Sequence, residues 1–286
     1  MGILKEIKSY IRKSNISKRK ILGIESIVEY KNNAWKSKVA ATHYKKVVEL
    51  ALFNRLVFPI FTDNLRPQLK ILDVGCGTGR LTKSLLESGH KVTATDISTS
   101  MLDLVEGHVE LTKVPCDSHK LIFPDKSFDA VVSLDFISHF PTWKQLIKEQ
   151  IRVLSDSGLL ICNYLTSENS LIRSDKFDDR ITNPIAVSET ATAISRLELE
   201  TLCSEMNCTL LKVVPYGFFW GNDFYSGFMS SKDGKDISNL FLNEFTNNMY
   251  YADRVVELDR VISQTNNPLL SSRAVMVIEK NQDECI

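Results

Sequence analysis

The stretch Ile71-Leu-Asp-Val-Gly-Cys-Gly-Thr-Gly-Arg80 decides how this chain is read. Ile71 to Val74 has the look of a short buried strand. It runs into a turn with glycines at 75, 77 and 79, and a helical pattern of Leu81, Leu85 and Leu86 follows at once. Glycine lacks the Cβ that disfavours left-handed backbone, so a ligand of nucleotide type can lie against bare main chain at the helix N-terminus.

A second strand, Lys91-Val-Thr-Ala-Thr-Asp96, closes on a carboxylate seventeen residues beyond Gly79. That is near the spacing at which an acid at a strand end meets ribose hydroxyls. The dinucleotide fingerprint Gly-x-Gly-x-x-Gly is absent, because its last glycine would fall on Arg80. The pattern is instead Asp-x-Gly-x-Gly-x-Gly, from Asp73 to Gly79. Further on stands Asp117-Ser-His-Lys-Leu-Ile-Phe-Pro-Asp-Lys-Ser-Phe-Asp-Ala-Val-Val-Ser-Leu134.

With these segments in order, residues 71–165 resemble the class I S-adenosylmethionine-dependent methyltransferases, in the branch holding ubiquinone-type and small-molecule enzymes. The resemblance implies S-adenosylmethionine as methyl donor, S-adenosylhomocysteine as its product, and a Rossmann-like doubly wound α/β fold. Its sheet has seven strands, the last of them antiparallel. By similarity, Gly75, Cys76 and Gly77 would lie along the methionine and ribose, with Gly79 and Met101 completing the set. Asp96 would accept from the ribose hydroxyls and Ile97 would pack on the adenine. Asp117, with the backbone of Ser118, would take the adenine amine. The Leu134 carbonyl and Asp73 would hold the ammonium. Acceptor groups suit a ligand with a sulfonium, an ammonium and hydroxyls but no phosphate. The structural alternatives are a helix cap for Asp96, since Ser98 starts a helix, a turn role for Asp117, and mere small size for Cys76.

The 286 residues carry 35 basic and 35 acidic side chains, so net charge gives no sign of a polyanionic partner. Residues 1–46 are basic, with twelve Lys and Arg against Glu6, Glu25 and Glu29. Ile3, Leu4, Ile7, Tyr10 and Ile11 recur there at helical spacing. Residues 1–20 are therefore a candidate for peripheral contact with an anionic membrane, against the alternative of a solvated helix docked on the body. Six cysteines without a C-x-x-C pair argue for a reducing compartment and against a zinc site, and no metal is expected. No apolar run spans a membrane and no signal peptide is evident, so a cytoplasmic protein is expected.

Three parts are expected: an N-terminal helical arm over 1–66, a cofactor-binding domain over 67–216 plus 272–286, and an insertion over 217–271. The arm reads as helical from Ile21 to Phe61, with Pro59 and Pro67 bracketing its end. Strands at 69–74, 90–95, 110–116, 128–134 and 158–165 alternate with helices at 80–88, 98–107 and 142–154, which means a parallel sheet with helices on both faces. Ser155 to Gly158 is the turn opening the fifth strand. A helix over Glu189 to Met206, a strand over Thr209 to Val214 and a final strand over Arg273 to Glu279 follow. The insertion far exceeds a hairpin's need. It opens with six aromatics between Phe218 and Phe228 and turns helical from Ile237 to Ile262, a candidate lid over the substrate.

Methyl transfer from a sulfonium is an in-line displacement, so the enzyme chiefly positions donor and acceptor. A base is needed only for a hydroxyl or a protonated amine. His139, just past the fourth strand, is the candidate base. Asp135 stands four residues earlier, where a helical turn would pair the two. An acid and histidine at this spacing resemble the pair in phosphoethanolamine methyltransferases, which a tyrosine of the N-terminal segment joins. Tyr44 or Tyr30 would fill that place, with His43 adjacent. Ser133-Leu-Asp-Phe136 lacks the Pro-Pro turn of enzymes that methylate base amines, so nucleic acid is disfavoured. The expected function is methylation of O or N in a small molecule: a biosynthetic intermediate, a sugar or a lipid-linked glycan. The rivals are an RNA or protein methyltransferase, a non-catalytic cofactor-binding subunit, and a nicotinamide dehydrogenase.

Overall fold

The computed structural model describes residues 51–167, 192–217, 249–263 and 273–282, with three isolated positions before residue 51. Helix α1 (Ala51–Thr62) leads into strand β1 (Lys70–Val74), helix α2 (Arg80–Glu87) and strand β2 (Lys91–Asp96). The short helix α3 (Thr99–Leu102), β3 (Leu111–Pro115), β4 (Phe128–Ser133), α4 (Trp143–Arg152) and β5 (Leu154–Thr166) complete the parallel half. Then come β6 (Ala193–Ile194), α5 (Arg196–Glu205), β7 (Cys208–Tyr216), α6 (Met249–Ser263) and β8 (Arg273–Lys280).

The sheet runs β3-β2-β1-β4-β5-β8-β7, with β6 paired to β5 off that path. β1 to β5 are parallel, and β8 lies antiparallel between β5 and β7. Central strands are apolar on both sides because helices cover both faces. One face buries Leu72, Val74, Val131 and Leu160 against Ile147 and Ile151 of α4 and Leu199 and Leu202 of α5. The other buries Ile71, Ala130, Val132 and Ile161 against Leu56, Val57 and Phe61 of α1, Leu81 and Leu85 of α2, and Val256 of α6. Full burial of each large side chain stabilises by roughly 1.5–3 kcal/mol before chain entropy is subtracted.

Several elements depart from expectation for local reasons. Pro59 lies inside α1 rather than at its end. Proline has no N–H, which leaves the carbonyl of Arg55 without its helical donor. Arg260 of α6 supplies one, its Nη2 donating to the Arg55 carbonyl at 3.4 Å. α3 stops at Leu102 rather than running to 107. The chain tightens there, with Leu104 and Val105 donating to carbonyls three residues back, and this folds Val105 over Gly79. α5 starts at Arg196, not Glu189, because Ser195 and Glu198 form a reciprocal capping box. Ala193 and Ile194 before it pair with Leu165 and Thr166. Ser155 to Gly158 is a bulge inside β5: Phe128 pairs with Leu154 but Ala130 with Leu159, and Ser157 takes φ 59°. Of the helix expected over 237–262, α6 covers 249–262, and residues 237–248 lie outside the described residues.

Candidate functional site

β1 pairs with β2 on one side and β4 on the other, so the strand order reverses at β1. Open α/β sheets bind ligands in the crevice outside the carboxyl ends of the strands at such a point. An open cleft lies there. The glycine turn supplies Gly75, Cys76 and Gly77; β1 supplies Asp73; the ends of β2 and β3 supply Asp96, Ile97, Asp117 and Ser118. Met101 of α3 joins them, and the segment after β4 brings Leu134, Asp135 and His139. Gly79 is not among the lining residues. At φ +82° a Cβ on it would stand 2.6 Å from Val105 Cγ1, so it closes the turn rather than facing the ligand. Gly77, at φ +56°, has nothing within 4 Å of where a Cβ would stand. Tyr44, Tyr30 and His43 lie outside the described residues.

The cleft also holds residues the sequence reading did not assign: Thr78, Arg80, Leu81, His119, Phe136 and Phe140. Arg80 carried a signal, since it stands where a dinucleotide enzyme has glycine. Phe136 packs against the turn. A Cβ on Gly75 would come within 2.2 Å of its ring, so glycine is required there for space as well as for φ +66°.

The acids differ sharply in environment. Asp73 is 1% exposed and accepts a hydrogen bond from Thr82 Oγ1 at 2.6 Å. Burial, only partly offset by Thr82 and Arg80, pushes its pKa up to about 7. Asp96 accepts from the Gly77 N–H at 3.0 Å through Oδ2 and from the Ser98 N–H at 2.8 Å through Oδ1. It therefore buckles the glycine turn to the end of β2, while each oxygen keeps a lone pair for a ligand hydroxyl. Burial raises its pKa too, against those backbone donors. Ser98, not Asp96, caps α3.

The pair expected between Asp135 and His139 is replaced by another arrangement. Asp135 takes φ 53° and Ile137 to His139 form a 3-10 turn, so the two residues do not sit one α-helical turn apart. The Asp135 carboxylate is held by Arg80 Nη2 at 2.7 Å, Arg273 Nη1 at 2.7 Å and Asn163 Nδ2 at 2.7 Å. Burial alone would raise its pKa, but Arg273 and Arg80 outweigh that and hold it down to about 2. Asn163 also accepts from the Asp135 N–H at 2.6 Å and donates to Tyr216 Oη at 2.6 Å.

Asp135→Asn should cost roughly 3–5 kcal/mol, the scale for breaking a buried pair. Because the native pKa is depressed, the carboxylate's contribution is full above the ordinary carboxylate range and lost as pH falls towards about 2. Chemical denaturation across that range should show the loss in the parent protein and a flatter profile in the variant.

The arrangement fits a cationic, hydroxyl-bearing ligand: two buried carboxylates with raised pKa face one cleft beside a bare backbone turn. Residues 72–162 match the family described as a methyltransferase domain. The chain is 32% identical over 154 residues to the ubiquinone/menaquinone biosynthesis C-methyltransferase UbiE of Burkholderia orbicola, covering 48% of this chain and 62% of that protein. It is 30% identical over 95 residues to the ubiquinone biosynthesis O-methyltransferase of Coxiella burnetii, covering 32% of this chain and 41% of that one. The chain thus spans less than two thirds of the length of these curated relatives. Among solved structures, phosphoethanolamine N-methyltransferase 2 of Haemonchus contortus, in complex with S-adenosyl-L-methionine, shares the fold. Its TM-score is 0.57 at 16% identity, covering 90% of this chain and 60% of that one. The strand order, the acids at the strand ends and these matches agree in direction: residues 72–162 match a methyltransferase domain, and the chain is similar to S-adenosylmethionine-dependent methyltransferases.

Proposed function

We propose that this chain transfers a methyl group from S-adenosylmethionine to an oxygen or nitrogen of a small molecule. The observation that carries this reading is that the acids of the cofactor cradle and His139 line one cleft. When bound, S-adenosylmethionine supplies an electrophilic methyl group on a sulfonium. Asp73 and the Leu134 carbonyl hold the ammonium, Asp96 the ribose hydroxyls and Asp117 the adenine amine. His139 takes the proton of a hydroxyl or of a protonated amine, and the aromatic rings of Phe136 and Phe140 exclude water beside it. The relatives' names include methylation at both carbon and oxygen, so they support the small-molecule class without selecting the atom. The part of 217–271 outside α6 serves as the wall over the acceptor, since α6 itself packs with α1 on the sheet face. Two facts support that role: Tyr216 and Arg273, at its two ends, are register partners, and both lead by hydrogen bonds to Asp135 on the cleft.

Incubation with methyl-labelled S-adenosylmethionine and fractionated extract tests the reading directly. Label in a metabolite or glycolipid fraction supports it; label in RNA or protein overturns the acceptor class. His139→Ala is expected to keep affinity for S-adenosylhomocysteine and lose most turnover at saturating substrate, and unchanged turnover would remove His139 from the mechanism.

Asp73 adds a pH signature. Its raised pKa means that the empty protein keeps the proton up to about pH 7, and that the stability owed to the neutral form is lost as pH rises through that value. A ligand ammonium prefers the carboxylate. Affinity for S-adenosylhomocysteine should therefore fall as pH drops below about 7, approaching tenfold per unit. Titration calorimetry should show this in the parent protein and a flatter dependence in Asp73→Asn.

A further inference from the structure

Asp117 follows β3 in a loop that opens on the cleft, and its side chain is 48% exposed. A carboxylate so exposed would sample several rotamers unless something held it. His119 does so. Asp117 Oδ1 accepts from the His119 backbone N–H at 2.9 Å and lies 3.0 Å from the ring Nδ1. The same ring places Nε2 at 2.8 Å from Thr142 Oγ1 and its edge against Phe140, centroids 5.1 Å apart at 84°. Its side chain is 11% exposed, and its carbonyl accepts from Gln145 Nε2 at 3.3 Å. The Thr142 hydroxyl can both donate and accept, so the ring can bond Asp117 through Nδ1 and Thr142 through Nε2 at once. With both nitrogens engaged, the imidazole cannot turn, and Oδ1 is committed. That leaves Oδ2 as the oxygen available to a ligand in the cleft that Asp117 lines.

We propose that His119 is a positioning residue for adenine recognition, tethering Asp117 to Thr142 so that Oδ2 meets the exocyclic amine of the cofactor. The proposal rests on the reading of Asp117 as the adenine acceptor and adds to it the device that fixes its direction. The gain is preorganisation: a rotamer already fixed does not have to be ordered on binding.

Thr142 allows a clean test. It stands at the N-cap of α4, yet its side chain makes no capping hydrogen bond, so Thr142→Val cuts the tether without uncapping the helix. Binding of S-adenosylhomocysteine and of S-inosylhomocysteine, in which a carbonyl replaces the amine, is measured by calorimetry. The parent protein prefers the adenosyl ligand. His119→Ala should weaken that ligand by about tenfold, the scale of one well-placed hydrogen bond, and leave the inosyl ligand unchanged. Thr142→Val should move the preference the same way by a smaller factor, and His119→Asn, whose amide can stand near Nδ1, should recover most of it. If Asp117→Ala abolishes the preference while His119→Ala and Thr142→Val retain it, His119 has no such role and the proposal fails alone. If Asp117→Ala itself retains the preference, the reading of Asp117 fails and takes the proposal with it. Equal weakening of both ligands in His119→Ala, with Thr142→Val unchanged, would mark a merely structural histidine and would also overturn it.

Discussion

The carboxylate of Asp135 is the point on which the upper edge of this sheet depends. It sits just past β4 with 16% of its side chain exposed, and it joins four parts of the chain. Arg80 begins the helix after the glycine turn, Asn163 belongs to β5, and Arg273 opens β8. Tyr216, at the end of β7, is reached through Asn163. A buried ion pair is a poor source of net stability, because desolvation offsets much of the attraction. Its value here is geometric. One acceptor cannot satisfy two guanidiniums and an amide unless all four elements stand in register, so the cluster specifies how the glycine turn faces the segment after β4.

That cluster also explains why neighbouring acids behave in opposite ways. Asp73 and Asp135 line the same cleft, yet burial pushes one up to about 7 while two arginines hold the other down to about 2. Arg80 is drawn to Asp135, the acid it contacts at 2.7 Å, and only weakly relieves Asp73. Asp73 is thereby left in want of a cation that a ligand can bring, whereas Asp135 already has its partners. Environments that drive titratable groups apart are how one cleft comes to hold groups of different duty.

Much of this was legible in the chain because it is local. A β-strand, three glycines at alternate positions and an acid at the next strand end are a short-range pattern, and its constraints are steric: the left-handed φ of Gly75 and Gly77 and the close approach of Phe136. The parallel order followed from alternating strand and helix signals. The capping box of Ser195 and Glu198 was equally local and readable, and it would have corrected the start of α5. The partners of Asp135 were not. Arg273 lies 138 positions away and Arg80 lies 55 away, and no periodicity reports such a contact. The i, i+4 spacing of Asp135 and His139 misled because it presumed an α-helical turn where the chain takes a left-handed residue and a 3-10 turn. Pro59 misled for a like reason: the donor that makes it tolerable comes from Arg260, on a distant helix.

The same long-range contacts bear on the segment between β7 and β8. Tyr216 and Arg273 face each other across the antiparallel ladder, so the chain leaves the sheet and returns to it at one place. Asp259, itself fully buried on α6, accepts from the Gly217 N–H at 2.9 Å and from Ser263 Oγ at 3.1 Å, fixing the first residue beyond the strand at φ 86°. The departure is therefore held by α6 and by Asn163, and the return by Asp135. A displacement of Asp135 would disturb the glycine turn through Arg80 and the root of this segment through Arg273 together. Such an arrangement ties the two ends of this segment to the glycine turn, because one carboxylate answers to both.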